Sequence, residues 1–538
     1  MMSTTQANDY GQSIRALQPR QMGGLPLIQP ILADLQLRTT VNQLVPSGAD
    51  IDLGQMVVLL VLNRLLAPQP LYEVQDWLSE TVLPEVLGIR VAQTYDNRLG
   101  RALDKLYPEL GELWQRLVSL AVETYALDLA VLHWDLTSIY FEGAYAESEL
   151  ASYGYSRDHR PDTKQITLEV DVTHDGSVPV LYQVLRGNAA DVTRPLPHLE
   201  ALLRFLTRPA LAGRHLQPLL VSDCKMITPE AVLACHRHLC YYLGPLQEGI
   251  AVTAALRSVS AAELADHPLA YRPQRVKATD ERFVPYRGVW RPFTFEHGGE
   301  QVIDRVLVVW SAGKERLDQG KRKTYLKRLL NGLERVQTKL NTAHYKKRAY
   351  VTQRIVTLQR DNPLHRLVDV DLHGEDGALV LHFTLNQVRL AEAQALDGCY
   401  ALATNGEHLS ATEALTLFKG QDGIEKRFRA VKGPLLVHPL FVRTDRRIEG
   451  LVFITLVALL VRAILERLCR QHDLPLTADR LFHRFASLQA VDVTWADGSI
   501  QRRAAEMSGF QSQVLAALGW PLPQTYAHLP CQGADAPL

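Results

Sequence analysis

Two aspartates lie in short apolar runs that have the pattern of buried strands. Asp135 falls within residues 129–137, where side-chain alternation places it on the same face as Thr137. Asp223 ends the run 219–223, directly before a helical pattern, which is where α/β sheets place functional residues. A buried carboxylate is costly unless it is hydrogen-bonded or binds a metal ion. Both aspartates are therefore candidates for a site that handles charge.

A third candidate acid, Glu425, lies on a predicted helix. The apolar side of that helix is formed by Ile424, Phe428 and Val431. Lys432 follows Glu425 after two helical turns, so these two charged side chains share one face. A set of Asp135, Asp223 and Glu425, without Cys or His, suits Mg²⁺, a hard cation that prefers oxygen ligands. These acids are our predicted catalytic residues and metal ligands, and Mn²⁺ is expected to substitute for Mg²⁺.

Each acid also has a purely structural interpretation. Asp135 and Asp223 could cap turns or pair with arginines, and Glu425 could form an ion pair with Arg429 one helical turn further along. A different metal centre, for zinc, is suggested by four potential ligands that lie close together in the sequence. They fall in a predicted helix, however, and lack the paired Cys-x-x-Cys or His-x₃-His spacing of zinc sites. These four residues are Cys235, His236, His238 and Cys240.

Composition limits the class of protein. The chain has 538 residues and a formal net charge of zero, and its length favours about two to four domains. Its six cysteines follow no framework spacing and its first residues lack a secretion-signal pattern, so we expect a reduced, cytoplasmic protein. Two strongly apolar stretches, 56–62 and 451–461, are shorter than the roughly 20 residues of a membrane span. They predict buried core helices, and no association with a membrane is expected.

The elements that would position the acids follow from hydrophobic periodicity. Residues 1–120 predict an all-helical N-terminal domain, whose clearest helices are each followed by a proline: 53–66, 72–83 and 95–106. Beyond it, strand-like and helical runs alternate, which predicts an α/β domain with an antiparallel edge. The predicted strands are 129–140, 165–173, 178–185 and 219–222, and the predicted helices are 193–206 and 229–239.

Residues 260–395 interrupt this alternation and are interpreted as a β-rich insertion. Its strand-like runs are 302–310, 349–357 and 378–385. Residues 313–360 contain fourteen Lys or Arg against three acidic residues, interleaved with tyrosines. That asymmetry suits the phosphate backbone of DNA, with Lys321, Arg322 and Lys323 as candidate contacts. The alternative is an ordinary charged helix that faces solvent.

A capping-box pattern opens the helix that would carry Glu425. Ser410-Ala-Thr-Glu413 has the required spacing, and the helix is expected to continue to residues 432–434, with breaks at Gly420 and Gly423. An apolar helix follows at 448–468.

These motifs resemble those of the DDE transposases of bacterial insertion sequences, in the branch with a β-rich insertion before the catalytic glutamate and a Tyr-Arg-Glu-Lys helix signature. In that family the first aspartate begins an Asp-x-Thr element, as Asp135-Leu-Thr137 does here. A following Gly-Tyr-Ser-x-Asp-x-Arg-Pro-Asp-x-Lys-Gln stretch is similar to residues 154–165, and a Gly-Asn-x-x-Asp element is matched by 187–191. The resemblance covers residues 20–470.

Two parts of the family pattern differ in this chain. The second catalytic aspartate is usually followed by Arg-Gly, whereas Asp223 is followed by Cys224-Lys225. The family's signature helix spaces Tyr, Arg, Glu and Lys with two, three and six residues between them. The corresponding positions hold Phe418, Gln421, Glu425 and Lys432. Because the family's Arg and Lys are thought to hold DNA phosphates, the resemblance implies DNA contacts by Lys432 and, more weakly, by Gln421.

The resemblance implies an α/β fold with a ribonuclease-H-like catalytic core. Its two halves would be residues 125–260 and 396–475, separated by the insertion at 260–395 and followed by a C-terminal extension, 476–538. The helical domain at 1–120 would bind the ends of the element. That role is an analogy, because residues 25–37 and 57–77 are similar to the helical domain that opens a subset of these transposases.

The implied activity is metal-dependent cleavage at the ends of an insertion sequence, followed by transfer of the freed 3′-hydroxyl into target DNA. The partners would be double-stranded DNA, as terminal repeats and as target, and a second copy of the chain in a synaptic homodimer. Two alternatives stay open. One is a nuclease of the same fold that only hydrolyses DNA, and the other is a degenerate DNA-binding remnant, suggested by Phe418, Gln421 and the residues after Asp223.

Overall fold

The structure is a computed structural model, and it describes residues 14–155, 160–189, 193–211, 217–223, 226–273, 276–277, 279–280, 283–435 and 442–524. Parts of the sequence motifs fall outside these ranges, namely residues 156–159, Asp191 and Cys224-Lys225. The chain divides into two compact units. The first consists of Met1–Val221 and Gly420–Leu538, and the second is Ser222–Lys419. The segment 260–395 falls within the second unit.

The strands are numbered here in chain order. They are β1 Ile14–Gln21, β2 Val131–Phe141, β3 Lys164–Thr173, β4 Pro179–Arg186, β5 Leu219–Val221, β6 Tyr241–Pro245, β7 Arg287–His297, β8 Glu300–Trp310, β9 Val368–His373, β10 Val380–Leu385, β11 Cys399–Thr404, β12 Gln489–Trp495 and β13 Ile500–Ala504.

The α-helices are numbered in the same way. They are α1 Leu25–Asp34, α2 Leu37–Leu44, α3 Leu53–Leu66, α4 Val74–Ser79, α5 Leu83–Leu87, α6 Asp96–Leu106, α7 Leu110–Thr124, α8 Pro195–Leu206, α9 Pro229–Arg237, α10 Ile250–Arg257, α11 Ala261–Ala265, α12 Ala312–Lys339, α13 Arg348–Arg360, α14 Gln387–Ala395, α15 Ala411–Lys419, α16 Asp422–Ala430, α17 Asp445–Gln471, α18 Ala478–Phe485 and α19 Gly509–Leu518.

A mixed sheet with the strand order β4-β3-β2-β5 forms the centre of the first unit. β2 pairs antiparallel with β3, β3 pairs antiparallel with β4, and β2 pairs in parallel with β5. Most residues of β2 and β3 are buried, on both faces of these strands. The four predicted strands of this region are confirmed to within two residues at each end, and the mixed α/β organisation is confirmed with them.

The helical N-terminal region packs around the apolar helix α17. α17 contacts α1, α3 and α6 of that region. Among the described residues, α17 is long and apolar enough to cross a membrane by length and composition alone, but 94% of its most apolar window is buried inside the protein. The predicted helix at 53–66 is present as α3. Both apolar stretches are therefore core helices, as the sequence predicts.

The prediction of an all-helical N-terminal domain is wrong at its start. β1 is a strand that pairs antiparallel with β12, and β12 pairs with β13. Most of β1 is exposed, so it lacks the apolar alternation that marks a half-buried strand, and its conformation depends on a partner more than 460 residues away in the chain. The predicted helix at 72–83 is also divided, because α4 ends at Ser79 and α5 begins at Leu83. Pro84, predicted to end the helix, lies instead in the first turn of α5, where a missing N–H costs nothing.

The second unit contains an antiparallel sheet of order β6-β11-β8-β7 and a separate hairpin of β9 and β10. The strand predicted at 349–357 is wrong, because these residues belong to α13. Val351 and Ile355, one turn apart, are buried in a cluster with Leu329 and Leu333 of α12. Their β-branched side chains suggested a strand, but packing against α12 stabilises a helix.

Candidate active site

A cleft of about 760 Å³ is lined by β2, by α16 and by the π-helical turn Val431–Leu435 that follows α16. All of these elements belong to the first unit. Two acidic and two basic side chains line the cleft together with a threonine and a phenylalanine: Asp135, Thr137, Glu425, Phe428, Arg429 and Lys432. The structure therefore brings three of the predicted site residues, Asp135, Glu425 and Lys432, to one surface.

Asp135 reaches this cleft from the middle of a buried strand. It is half-buried, whereas Trp134 and Leu136 on either side are buried on the opposite face of β2. The backbone N–H of Leu136 donates a hydrogen bond to Asp135 Oδ1 at 2.7 Å. Alternation along β2 thus turns Asp135 and Thr137 towards the cleft while the strand stays anchored in the core.

Glu425 is exposed in the first turn of α16, and the predicted apolar side of the helix is buried beneath it. Ile424 is 0% exposed and Phe428 is 6% exposed. Among the described residues, Glu425 and Arg429 form no ion pair with each other, so the structural alternative for Glu425 is not observed. Lys432 lies two turns beyond Glu425 and lines the same cleft. Two cationic side chains and two carboxylates therefore face one space.

Asp223 lies two residues beyond β5, at the start of the second unit, and is half-buried. β5 pairs in parallel with β2, with Val221 opposite His133. Asp223 and Asp135 each follow these paired residues by two positions. Within the described ranges, no group of three or more His, Cys, Asp or Glu side chains is arranged to hold a metal ion. The catalytic and metal-binding roles of Asp135, Asp223 and Glu425 stay predictions.

A chain of hydrogen bonds connects α16 to β2. The side-chain nitrogen Nε2 of Gln421, the residue before α16, donates to the carbonyl oxygen of Trp134 at 2.9 Å. Its oxygen Oε1 lies 2.9 Å from His133 Nδ1, and His133 Nε2 lies 2.9 Å from His174 Nδ1. Gln421, predicted as a DNA contact, thus uses both ends of its amide within the protein. These partners lie far apart in the sequence, which gave no sign of the contact.

The direction of these hydrogen bonds follows from their chemistry. A backbone carbonyl can only accept, so Gln421 turns its nitrogen towards Trp134 and its oxygen towards His133. His133 must then carry a proton on Nδ1 in order to donate to that oxygen. Burial lowers the pKa of His133 to about 4, so the ring is neutral near pH 7 and Nε2 accepts from His174. Donor and acceptor are thus assigned for each of the three hydrogen bonds.

Arg427 holds α16 in place at a second point. Its guanidinium donates to the carbonyl oxygens of Gly176 and Ser177 at 2.7 and 2.9 Å, and it pairs with Glu466 of α17 at 2.7 Å. Gly423 also approaches Ser177 so closely that a Cβ there would collide with the hydroxyl oxygen. The turn between β3 and β4 therefore supports the helix that carries Glu425.

The opposite face of β2 covers a buried cluster of charges that the sequence analysis missed. His198 lies 2.7 Å from Glu169 and 3.1 Å from Asp171, and Arg194 pairs with Glu169 at 2.9 Å. Trp134 stacks on the His198 ring and donates to Glu169 at 2.8 Å. Two acids alternating within the apolar run 166–172 are the signal that could have revealed this cluster.

Residues of the Gly-Tyr-Ser motif have a structural role. Gln165, 1% exposed, donates from Nε2 to the carbonyl oxygens of Gly187 and Tyr155 at 2.9 and 3.0 Å. A Cβ on Gly154 would collide with the Gly187 carbonyl, and a Cβ on Gly187 would collide with the carbonyls of Gln165 and Ser152. These glycines therefore allow three backbone segments to cross in close contact.

The basic segment of the second unit lies mainly on α12. Lys321 and Lys323 are exposed, whereas Arg322 is half-buried and forms an ion pair with Asp397, with Nη1 and Oδ1 2.6 Å apart. That contact raises the pKa of Arg322. The candidate DNA contacts thus divide into two lysines that face solvent and one arginine that is bound within the protein.

His236, one of the four potential zinc ligands, lies 2.9 Å from Asp304 of β8, and Cys235 and Cys240 are buried thiols.

Comparison with known proteins gives a local match and a remote one. A family model described as a domain of unknown function (DUF4277) matches residues 17–119. No curated protein matches the chain. Among solved structures, the chain is similar to one described as "Cryo-EM structure of piggyBac transposase synaptic complex with hairpin DNA". The identity is 7%, the match covers 88% of this chain and 82% of that chain, and the TM-score is 0.37. The family match thus concerns the helical N-terminal region.

Proposed function

We propose that this chain is a DDE-type transposase of a bacterial insertion sequence, an enzyme that cuts the ends of a DNA element and joins them to target DNA. The observation that carries the proposal is the cleft, in which Asp135 and Glu425 face Arg429 and Lys432. Carboxylates suit a divalent cation, and neighbouring cationic side chains suit the phosphate groups that such a cation would act on. The sequence motifs around these residues add independent support.

The arrangement of strands supports a ribonuclease-H-like core. The antiparallel strands β4, β3 and β2 form the edge that the sequence predicts, and β2 pairs in parallel with β5. We propose Asp223 as the third acid because it follows β5 at the same offset from a paired residue as Asp135 has on β2. Strand ends are where open α/β sheets place their ligands.

The donor set in the cleft fits Mg²⁺, with Mn²⁺ as a substitute, because Asp135 and Glu425 offer hard oxygen ligands and the described residues that line the cleft include no Cys or His. When bound, such a cation would lower the pKa of water and stabilise the leaving oxygen at phosphorus. Asp135, Glu425 and Asp223 would hold it. Lys432 and Arg429 would bind phosphate oxygens beside the scissile bond, and the freed 3′-hydroxyl would attack target DNA in the same cleft.

DNA outside the cleft would be held by other parts of the chain. We assign the exposed lysines Lys321 and Lys323 of α12 to the phosphate backbone, where their charge acts without regard to base sequence. The helical region at residues 17–119 is assigned to the terminal repeats. Because two ends must be joined in one event, the working form is proposed to be a homodimer.

The proposal is tested with purified chain and labelled duplexes that carry the DNA flanking its own gene, with Mg²⁺, Mn²⁺ or EDTA. We expect metal-dependent cleavage and joined products. Asp135→Asn, Asp223→Asn and Glu425→Gln keep side-chain volume while removing charge, and each should reduce cleavage by at least about 100-fold, since even indirect partners of a metal ligand matter by 10–100-fold.

Asp422→Asn is the matched control. Asp422 is exposed on the same helix as Glu425 and pairs with Lys426 at 2.7 Å, so its loss should leave cleavage unchanged. Cleavage without joining would favour a hydrolytic nuclease. Specific DNA binding without any metal-dependent cleavage would reject the enzyme and favour the DNA-binding remnant that Phe418 and Gln421 suggested.

A further inference from the structure

We propose that Gln421 is a positioning residue for the acidic pair, and that together with His133 it sets the position of Glu425 relative to Asp135. This inference rests on the proposed function, and it assigns Gln421 a role different from the DNA contact that its place in the helix signature implies. Its basis is the hydrogen-bond chain between α16 and β2.

The Gln421 side chain connects the backbone beside Asp135 with the start of the helix that carries Glu425. The carbonyl that accepts from Gln421 belongs to Trp134, and that peptide group continues directly into the nitrogen of Asp135. On the other side, Gln421 precedes Glu425 by one helical turn. A single side chain therefore connects the peptide that carries one carboxylate to the first turn of the helix that carries the other.

The hydrogen bond from Gln421 to β2 lies where the pairing between β2 and β5 ends. Pairing between β2 and β5 ends at His133 and Val221, and the Gln421 amide binds the carbonyl of the next residue, Trp134. The helix thus binds β2 immediately beyond its parallel partner. The segment of β2 that Gln421 binds leads directly into Asp135.

The Trp134 carbonyl sets the orientation of the amide, and the His133 ring contacts its other end. A glutamine amide can turn over by half a rotation and exchange its nitrogen and oxygen, but here both atoms are engaged. His133 is 1% exposed and presents Nδ1–H to Oε1, while His174 holds the other ring nitrogen. Both polar atoms of the Gln421 amide are thus engaged inside the protein.

The first measurement needs no metal and no DNA. Hydrogen–deuterium exchange of the α16 amides is compared between the wild type and Gln421→Leu, which has similar volume but no amide. The proposal expects faster exchange across α16 in the variant, because a hydrogen bond that anchors the helix is lost. Unchanged exchange would overturn the proposal, whatever the protein does with metal or DNA.

The second measurement is the affinity for Mn²⁺ in the absence of DNA. The part of the binding signal that Asp135→Asn removes is assigned to the cleft. We expect Gln421→Leu to weaken that binding by about 10-fold, the lower end of what indirect partners of a metal ligand contribute. DNA affinity and its salt dependence should be unchanged. Weakened DNA binding with unchanged Mn²⁺ affinity would instead make Gln421 a DNA contact and overturn the proposal.

Substitution at His133 supplies a rescue test that a merely structural role would not pass. The amide nitrogen of asparagine reaches the place of Nδ1, so His133→Asn keeps the donor to Gln421, whereas His133→Leu removes it. Mn²⁺ affinity should be near wild type in His133→Asn and reduced in His133→Leu, and equal losses in both would count against the proposal. If the wild type binds no Mn²⁺ while α16 exchange responds as expected, the proposed metal enzyme fails but the anchoring by Gln421 stands.

Discussion

Replacement of the buried His198 and of Asp171, one of the two carboxylates that it contacts, should change how the free energy of unfolding depends on pH. In the wild type, His198 lies within hydrogen-bond distance of Glu169 through Nδ1 and of Asp171 through Nε2, and both acids are less than 2% exposed. A ring that donates from both nitrogens to carboxylates is an imidazolium. Burial by itself would lower the pKa of His198, but the ion pairs with Asp171 and Glu169 outweigh it and raise the pKa to about 9.

The magnitude follows from linkage. Because one pH unit of difference between folded and unfolded pKa corresponds to about 1.4 kcal/mol, a rise from 6.5 to about 9 contributes about 3 kcal/mol to the free energy of unfolding. A raised pKa gives stability that is fully present below pH 6.5 and is lost as the pH increases through about 9. Burial also raises the pKa of Asp171, so any titration of Asp171 has the same sign.

The assay is urea unfolding between pH 6.5 and 9, followed by tryptophan fluorescence, since Trp134 stacks on the His198 ring. The wild type is compared with the double variant Asp171→Asn, His198→Gln, which keeps side-chain volumes and leaves Glu169 paired with Arg194. We expect the wild type to lose about 3 kcal/mol more than the double variant over this range. Parallel pH profiles for the two proteins would refute the reasoning.

Two further predictions concern the backbone crossing and the basic helix. Gly187→Ala should lower the free energy of unfolding by about 1–3 kcal/mol, because its Cβ meets two backbone carbonyls that cannot turn away. The control Gly111→Ala, with open space around it on α7, should raise stability by up to about 1 kcal/mol, and equal urea midpoints would contradict both expectations. Replacement of Lys321 and Lys323 by Gln should reduce the slope of log K against log salt by about 2 between about 50 and 200 mM, and an unchanged slope would remove them from the DNA surface.

Much of the fold could be predicted from local pattern. The helix α3 and the strands β2, β3 and β4 could be predicted because each is an apolar run of about eight or more residues, a signal that depends little on distant contacts. β1 could not be predicted because its side chains are exposed and its partner β12 is at the other end of the chain. Residues 349–357 of α13 are predicted as a strand because β-branched residues have a high strand propensity. In the structure these side chains pack against α12 as part of a helix.

The candidate site was predictable to a similar degree. Helical spacing correctly separated Glu425 and Lys432 from the buried side formed by Ile424 and Phe428. The role of Gln421 could not be predicted, since its partners Trp134 and His133 are 287 and 288 residues away. A polar residue before a helix has the same local signature whether it binds DNA or another part of the fold.

The reasoning that selected Asp135 would also have selected Glu169 and Asp171, because all three are acids on apolar strands. What separates them is the face of the sheet on which each lies. Asp171 is 0% exposed and its charge is balanced inside the core by His198. Asp135, on the opposite face of β2, is half-buried and lines a cleft together with Glu425. An acid in a strand therefore indicates that something must compensate its charge, and only the fold shows whether the acid lies in the core or lines a cleft.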